Sequence, residues 1–180
     1  MFISYSYEGD TTPDDVVPHA LYEKFPRECT GIVVFDILIS NCDRNGTNLK
    51  VDRPASPRKF YLIDHERALF YIYKSEGITR LRSREDRLGV TDGADSGDEW
   101  HCLVDLVDNM NHLTHWVDKI KSIPDGFIDD ICEEMWKISL TRTECDEVKK
   151  FLKHRKDNIG YLISNHKNRF PLVSGWGLFI

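Results

Sequence analysis

Three oxygen-bearing side chains, Asp43, Asn48 and Asp64, close two apolar stretches of the chain. The first stretch, GIVVFDILISN, runs into Cys42-Asp43-Arg44-Asn45-Gly46-Thr47-Asn48, and the second, Phe60-Tyr61-Leu62-Ile63, ends on Asp64-His65-Glu66. An ionised acid at the end of an apolar strand, two positions from another acid, stays near a core only if it is paired or metal-bound. Two carboxylates and one neutral amide oxygen suit magnesium, a hard ion that takes oxygen ligands and commonly completes its shell with substrate phosphates.

Two plainer accounts compete for the same residues. Asn45-Gly46 is the strongest two-residue hairpin signal and lies between apolar runs. Asp43, Asn45 and Thr47 also fall at the first, third and fifth positions of a calcium loop, but the twelfth position is Pro54, where that loop needs an acid. Calcium of that type is therefore rejected. Neither account explains Asp64.

The elements that must position these residues belong to a chain of 180 residues, 41% hydrophobic and 30% charged, which suits one globular domain. The net charge of −6 argues against nonspecific nucleic-acid binding, which needs phosphate-neutralising cations. Five cysteines without a CxxC spacing suggest reduced thiols in a cytoplasmic protein rather than a disulfide framework or a cysteine zinc site. No basic-then-apolar leader opens the sequence, and Ile32 to Ile39, the longest apolar run, is far too short to span a membrane.

Residues 2–7 read as a strand, 8–18 as loop and Pro18 to Phe25 as a short helix. Thr30 is a candidate N-cap for GIVVFDILISN, whose near-continuous apolar character fits buried helix or buried strand equally. Asn48–Val51, Lys59–Asp64 and Ala68–Tyr73 read as strands, and residues 84–99 as a mobile Gly- and Asp-rich segment. Helices follow at about Leu103–Val107, Leu113–Ile120, Phe127–Trp136 and Glu144–Asn165. In the last, Val148, Phe151, Leu152, Ile159, Leu162 and Ile163 recur at helical spacing and predict a core stripe. Trp100, Trp116 and Trp136 are expected in the core of this helical part, while Gly175 to Ile180 is an apolar end that docks on the body or on a partner.

The wording VVFDILISNCDRNGTNL, then FYLIDHERALF, resembles the HipA-like kinase family more closely than ordinary protein kinases. The five-residue separation of Asp43 from Asn48, with an Ile-Asp pair opening a second loop, is similar to the catalytic core of the kinase fold, phosphoinositide kinases included. SIPDGFIDDICEEMW and HRKDNIGYLI resemble the family's helical tail, so the likeness runs over about residues 30–170. It implies an α+β, mainly helical fold: a kinase-like C-terminal lobe with a small β-hairpin carrying the catalytic and metal loops. Within a single domain of 1–180, residues 1–29 would be an N-terminal segment or hinge remnant, 30–80 the catalytic and metal-loop core, and 100–170 a helical subdomain.

The resemblance also implies ATP- and magnesium-dependent phosphoryl transfer to a hydroxyl, such as a protein serine or threonine. Asp43 would be the base; Asn48 and Asp64 would hold the metal and the nucleotide phosphates. Arg44 would offset charge beside the transferred phosphoryl or pair with Asp43. Asp36 reads as a structural hydrogen-bonding acid. Two departures stand out. Glu66 replaces the family's glycine after Ile-Asp-His, and the 29 residues before the matched region hold no Gly-rich loop and no lysine before Lys24, so the nucleotide-gripping N-terminal lobe is missing. The chain is then a truncated product, the complement of a separate N-lobe polypeptide, or an inactive kinase-fold interaction module. His101, Cys102, His112 and His115 form a weaker zinc candidate, with exposed or capping histidines the plainer account.

Overall fold

The computed structural model describes residues 17–51, 60–70, 76–91 and 101–179. Its elements are α1 (Pro18–Lys24), α2 (Pro26–Ile39), β1 (Leu49–Val51), β2 (Phe60–Leu62), α3 (Gly77–Arg84), α4 (Met110–Lys121), α5 (Asp125–Ile138) and α6 (Arg142–Asn165). The two strands pair antiparallel, Leu49 opposite Leu62 and Val51 opposite Phe60. The expected α+β, mainly helical class is therefore the observed one. None of the described helices is long and apolar enough to cross a membrane.

GIVVFDILISN is a helix, and it begins earlier than the sequence suggests. α2 starts at Pro26, whose fixed φ and missing N–H suit a first turn. Thr30 is not its cap: it lies one turn inside, its hydroxyl donating to Pro26 O at 2.7 Å. α2 is buried nearly all round, with Cys29, Val33, Val34 and Ile37 fully inside, so its sequence lacks the alternation that would mark a half-exposed helix. It packs against α4 and α6. The approach to α4 depends on Gly31, where a Cβ would lie 2.3 Å from Trp116 Cε2, and the ring is pinned by Trp116 Nε1 donating to Arg27 O at 2.7 Å.

α6 opens on a capping box in which Thr141 accepts from the Glu144 N–H and the Glu144 carboxylate accepts from Thr141 N. Its predicted stripe is the observed one: Val148, Phe151, Ile159, Leu162 and Ile163 are buried, and Leu152 is half-buried. The helix serves two apolar clusters. Ile159 and Ile163 join the main core with α2 and α4, while Val148 and Phe151 join Leu81, Ile128, Cys132 and Cys145. Between them lies Arg155, with no exposed surface. Its guanidinium donates to the carbonyls of Ile37 (3.0 Å) and Leu38 (3.2 Å) at the end of α2, and to those of Arg84 (2.8 Å), Arg87 (2.6 Å) and Leu88 (2.9 Å) at and beyond the end of α3. The last carbonyls of a helix lack internal partners and carry its negative pole, so one cation serves two helix ends.

Other expectations change. α3 was not foreseen. Residues 68–70 form turns rather than the start of a strand, and Leu103–Val107 reduces to one 3-10 turn at Val104–Leu106. Leu88, Gly89, Val90 and Thr91 are buried, so the first half of the 84–99 segment is packed chain. Trp136 is 46% exposed, not a core residue. The chain end docks on the body: Phe179 is buried and Trp176 packs edge-on against it at 5.5 Å. The expected strand at 2–7 and Trp100 lie outside the described residues.

Gly31→Ala tests the α2–α4 contact. Helix propensity alone favours alanine by about 1 kcal/mol, yet the clash with the pinned indole should leave the variant less stable by about 1–3 kcal/mol. Chemical denaturation measures the difference, and a variant as stable as the parent would show that the ring yields freely.

Candidate active site

The first loop leaves α2 through Ser40, a buried residue at φ 55°, ψ 46°. Left-handed backbone is costly for a side chain, and this one is backed by Gly89, where a Cβ would meet Ser40 Oγ at 2.5 Å and Cα at 2.9 Å. The chain then runs without regular secondary structure to Asn45. Asn41 donates to Asp36 Oδ1 at 3.0 Å and accepts from Asp43 N at 3.3 Å. Asn45 accepts from the amides of Thr47 and Asn48 at 2.9 and 3.1 Å and so caps the 3-10 turn Gly46–Asn48. The Asn45-Gly46 pair thus starts a helical turn and is not the tip of the β1–β2 hairpin.

Asp43 and Asn48 meet in this turn. Asn48 Nδ2 donates to Asp43 O at 2.8 Å and lies 3.5 Å from Asp43 Oδ2, while Asn45 Nδ2 donates to Asp43 Oδ1 at 3.3 Å. The Asp43 side chain keeps 18% of its surface, and Arg67 Nε stands 3.6 Å from its Oδ2.

Arg44 joins the two loops. It is fully buried, and all five guanidinium N–H groups have acceptors. Nε and one NH2 hydrogen form a bidentate pair with Asp36 at 2.8 and 3.0 Å; NH1 donates to Asn48 O at 2.7 Å and to Ile63 O at 2.9 Å; the remaining NH2 hydrogen faces His65 Nε2 at 2.9 Å. A guanidinium only donates, so His65 accepts through Nε2 and carries its proton on Nδ1. Burial first, and then the Arg44 charge, push the His65 pKa down, consistent with a neutral ring. Arg44 therefore pairs with Asp36 rather than Asp43, and having no exposed surface it cannot reach a transferred group. Both roles considered for it from the sequence give way to a structural one.

Asp36 is the structural acid that the sequence suggested. Besides Arg44 and Asn41 it takes a hydrogen bond from His101 Nε2 at 3.1 Å. Burial pushes its carboxyl up, but His101 and Arg44 more than reverse this and hold the pKa at about 2.

The second loop is tied to the first through backbone. Ile63 N donates to Asn48 O at 3.2 Å, extending the β1–β2 pairing to the threshold of Asp64. Asp64 is exposed and held at φ 54°, and Leu69, at φ 49°, donates its N–H to Ile39 O at 3.0 Å. The positive φ in this loop is carried by Asp64 and Leu69, not by Glu66, so glutamate where the resembled family has glycine imposes no backbone strain here. Asp64 thus emerges directly after the residue that pairs with Asn48, and the two predicted metal-binding positions are neighbours across one strand pair.

His101, the member of the zinc candidate closest to this site, is committed to Asp36. His112 and His115 are on α4, where His115 faces Arg27 at 2.8 Å, and no group of three or more His, Cys, Asp or Glu that could hold a metal occurs among the described residues. A shallow open depression between α3 and α6, lined by Leu81, Glu85, Lys150 and Phe151, involves none of the site residues. Sequence reasoning missed Arg67 and Arg155, and assigned His101 to a zinc candidate where its bond is to Asp36. Only Arg67, three residues past Asp64, carried a local signal.

No family model, characterised protein or solved structure matches the chain in comparisons with known proteins.

Arg44→Met should lower stability by about 3–5 kcal/mol at pH 7, because it leaves the Asp36 charge buried and uncompensated. In the parent, Asp36 has a depressed folded-state pKa, so its contribution is complete above the ordinary carboxylate pKa and is lost as the pH falls towards about 2. In the variant the Asp36 pKa rises and protonation relieves the penalty. The stability gap should narrow between pH 7 and pH 4 in urea denaturation; a gap of constant size would contradict this account.

Proposed function

We propose that this chain carries the catalytic half of a HipA-like kinase, using ATP and magnesium to phosphorylate a hydroxyl group. The observation that supports the reading most is the Arg44 bridge: one guanidinium NH1 holds Asn48 O and Ile63 O together, so the backbone that carries Asn48 is fixed beside the residue preceding Asp64. The donor set fits magnesium as a phosphate-dependent ligand rather than as a resident ion. It offers an exposed carboxylate, a neutral amide and the nearby Asp43, all oxygen donors, and too few charges to hold the ion unaided.

In this reading Asp64 and Asn48 would hold magnesium, which supplies charge neutralisation across the nucleotide phosphates when bound. Asp43 orients the acceptor hydroxyl and takes its proton as the oxygen bonds to phosphorus and ADP leaves. Asn45, donating to Asp43 Oδ1 at 3.3 Å, orients that carboxylate, while Asn48 holds the Asp43 backbone carbonyl at 2.8 Å. Arg67 takes the place that Arg44 cannot: it stands beside Asp43, with 27% of its side chain exposed, where it would face the transferred phosphoryl. The adenine side of the nucleotide would be covered by a strand-rich lobe, contributed by a separate polypeptide or by a longer form of the chain. A protein serine or threonine as acceptor rests on the family resemblance alone.

The ion pair of Arg67 with Asp43 also favours a second reading, a kinase-fold interaction module in which the base is neutralised and catalysis is lost. Thermal shift separates the two. Under the first, ATP with magnesium raises Tm and neither alone does so fully; Asp64→Ala abolishes the effect; Asp43→Asn keeps it while phosphoryl transfer, assayed with the completing lobe, falls by about 10²–10⁴-fold. A parent chain indifferent to the nucleotide supports the interaction module.

A further inference from the structure

Of the large hydrophobic side chains exposed among the described residues, most of those on helices are on α5. Phe127 (56% exposed), Ile131 (46%), Met135 (39%) and Ile138 (47%) recur at steps of four, four and three, which at about 100° per residue is one continuous stripe. The neighbouring face carries Ile128 and Cys132 into the core shared with α6. Beyond that face, ion pairs clasp α5 to α6: Asp125 with Lys156 at 2.7 Å, Asp129 with Lys153 at 2.7 Å, and Glu133 with Lys149 and Arg142. α5 is thus satisfied on the side of its own fold and presents an apolar ridge away from it.

We propose that α5 is a homodimer interface, with a second copy of the chain lying antiparallel along the Phe127–Ile131–Met135–Ile138 stripe. The outer flank of the stripe carries Asp130, Glu134 and Lys137, with Lys137 Nζ 2.6 Å from Glu134. Antiparallel packing about a two-fold axis sets like flanks side by side in reversed order. With the axis at the level of Glu133, Ile131 meets the partner's Met135, Phe127 meets the partner's Ile138, and Asp130 meets the partner's Lys137, twice by symmetry. Parallel packing about a two-fold axis would set this flank against the partner's opposite one, the side on which Ile128 and Cys132 enter the core, and would leave Asp130 without Lys137. A lipid surface is disfavoured, because this flank is acidic on balance and basic residues are what favour anionic headgroups. Four half-exposed side chains supply an apolar centre, not all of the ~800 Å² that each partner gives to a standard interface. The dimer is therefore expected to dissociate in the micromolar range.

The test is independent of the phosphoryl-transfer reading. Sedimentation equilibrium of the full chain should show a concentration-dependent dimer. Ile131→Asp should weaken it at least about tenfold without lowering Tm at concentrations where the parent is monomeric, since the side chain is outside the core. Asp130→Lys should weaken it, and Asp130→Lys combined with Lys137→Asp should restore it. Glu134→Cys, near the axis, should cross-link to its own copy on oxidation. A chain that is monomeric throughout, one that gains mass only with a basic amphipathic peptide, a dimer indifferent to Ile131→Asp, or a charge swap that fails to restore pairing would each overturn the proposal.

Discussion

A buried ion pair with every donor used, Arg44 on Asp36, governs the relation between the two loops. Taking both charges out of water is expensive, and such pairs often contribute little net stability. Their effect here is geometric. Arg44 has five N–H groups in a rigid planar fork, and it spends two on a carboxylate of α2, two on carbonyls of the opposing strand ends and one on His65. A shift of either loop would strand a charged group in a low-dielectric interior, so the buried guanidinium reinforces the Ile63–Asn48 backbone hydrogen bond in holding the two loops in register.

Behind that pair stands a rigid frame. α2 is gripped on several sides by the core, its end is neutralised by Arg155, and the turn that follows it is wedged against Gly89. The groups with chemical potential, Asp43, Asp64 and Arg67, stand in front of the frame and keep contact with water. Costly left-handed backbone is concentrated at Ser40, Asp64 and Leu69, on the loops flanking this front. Strain of that kind persists where surrounding structure over-determines it, and here the surroundings are the Gly89 contact and the Leu69 bond to Ile39.

What the sequence made legible follows from range. α6 was readable because its apolar period is local and long. That Asp43 and Asn48 meet was readable because they lie five positions apart in one loop, and Asp64 stood out because an acid ending an apolar strand is conspicuous. Arg44 was misread because its carboxylate partner lies eight residues back, on a helix that periodicity could not distinguish from a strand, and its other partners lie across a loop. His101 was grouped with its sequence neighbours when its bond runs to Asp36, 65 residues away. α3, GITRLRSR, is too polar to announce itself, and it is held by the α6 packing behind Leu81. Trp136 has the composition of a core residue and none of the position, since α5 turns it towards Arg142 at the surface.

Arg155 gives this layout a temporal side. Its bonds to Ile37 and Leu38 span 118 and 117 positions, so the turn that presents Asp43 is completed by a helix far downstream in the chain. On a translating ribosome, where chains emerge N-terminus first, the loop after α2 would be exposed well before its clamp exists. Contacts of such separation are slow to close. Until α6 docks, two helix ends lack their common cation, and a nascent chain in that interval offers unsatisfied carbonyls and bare apolar surface to whatever chaperone is at hand.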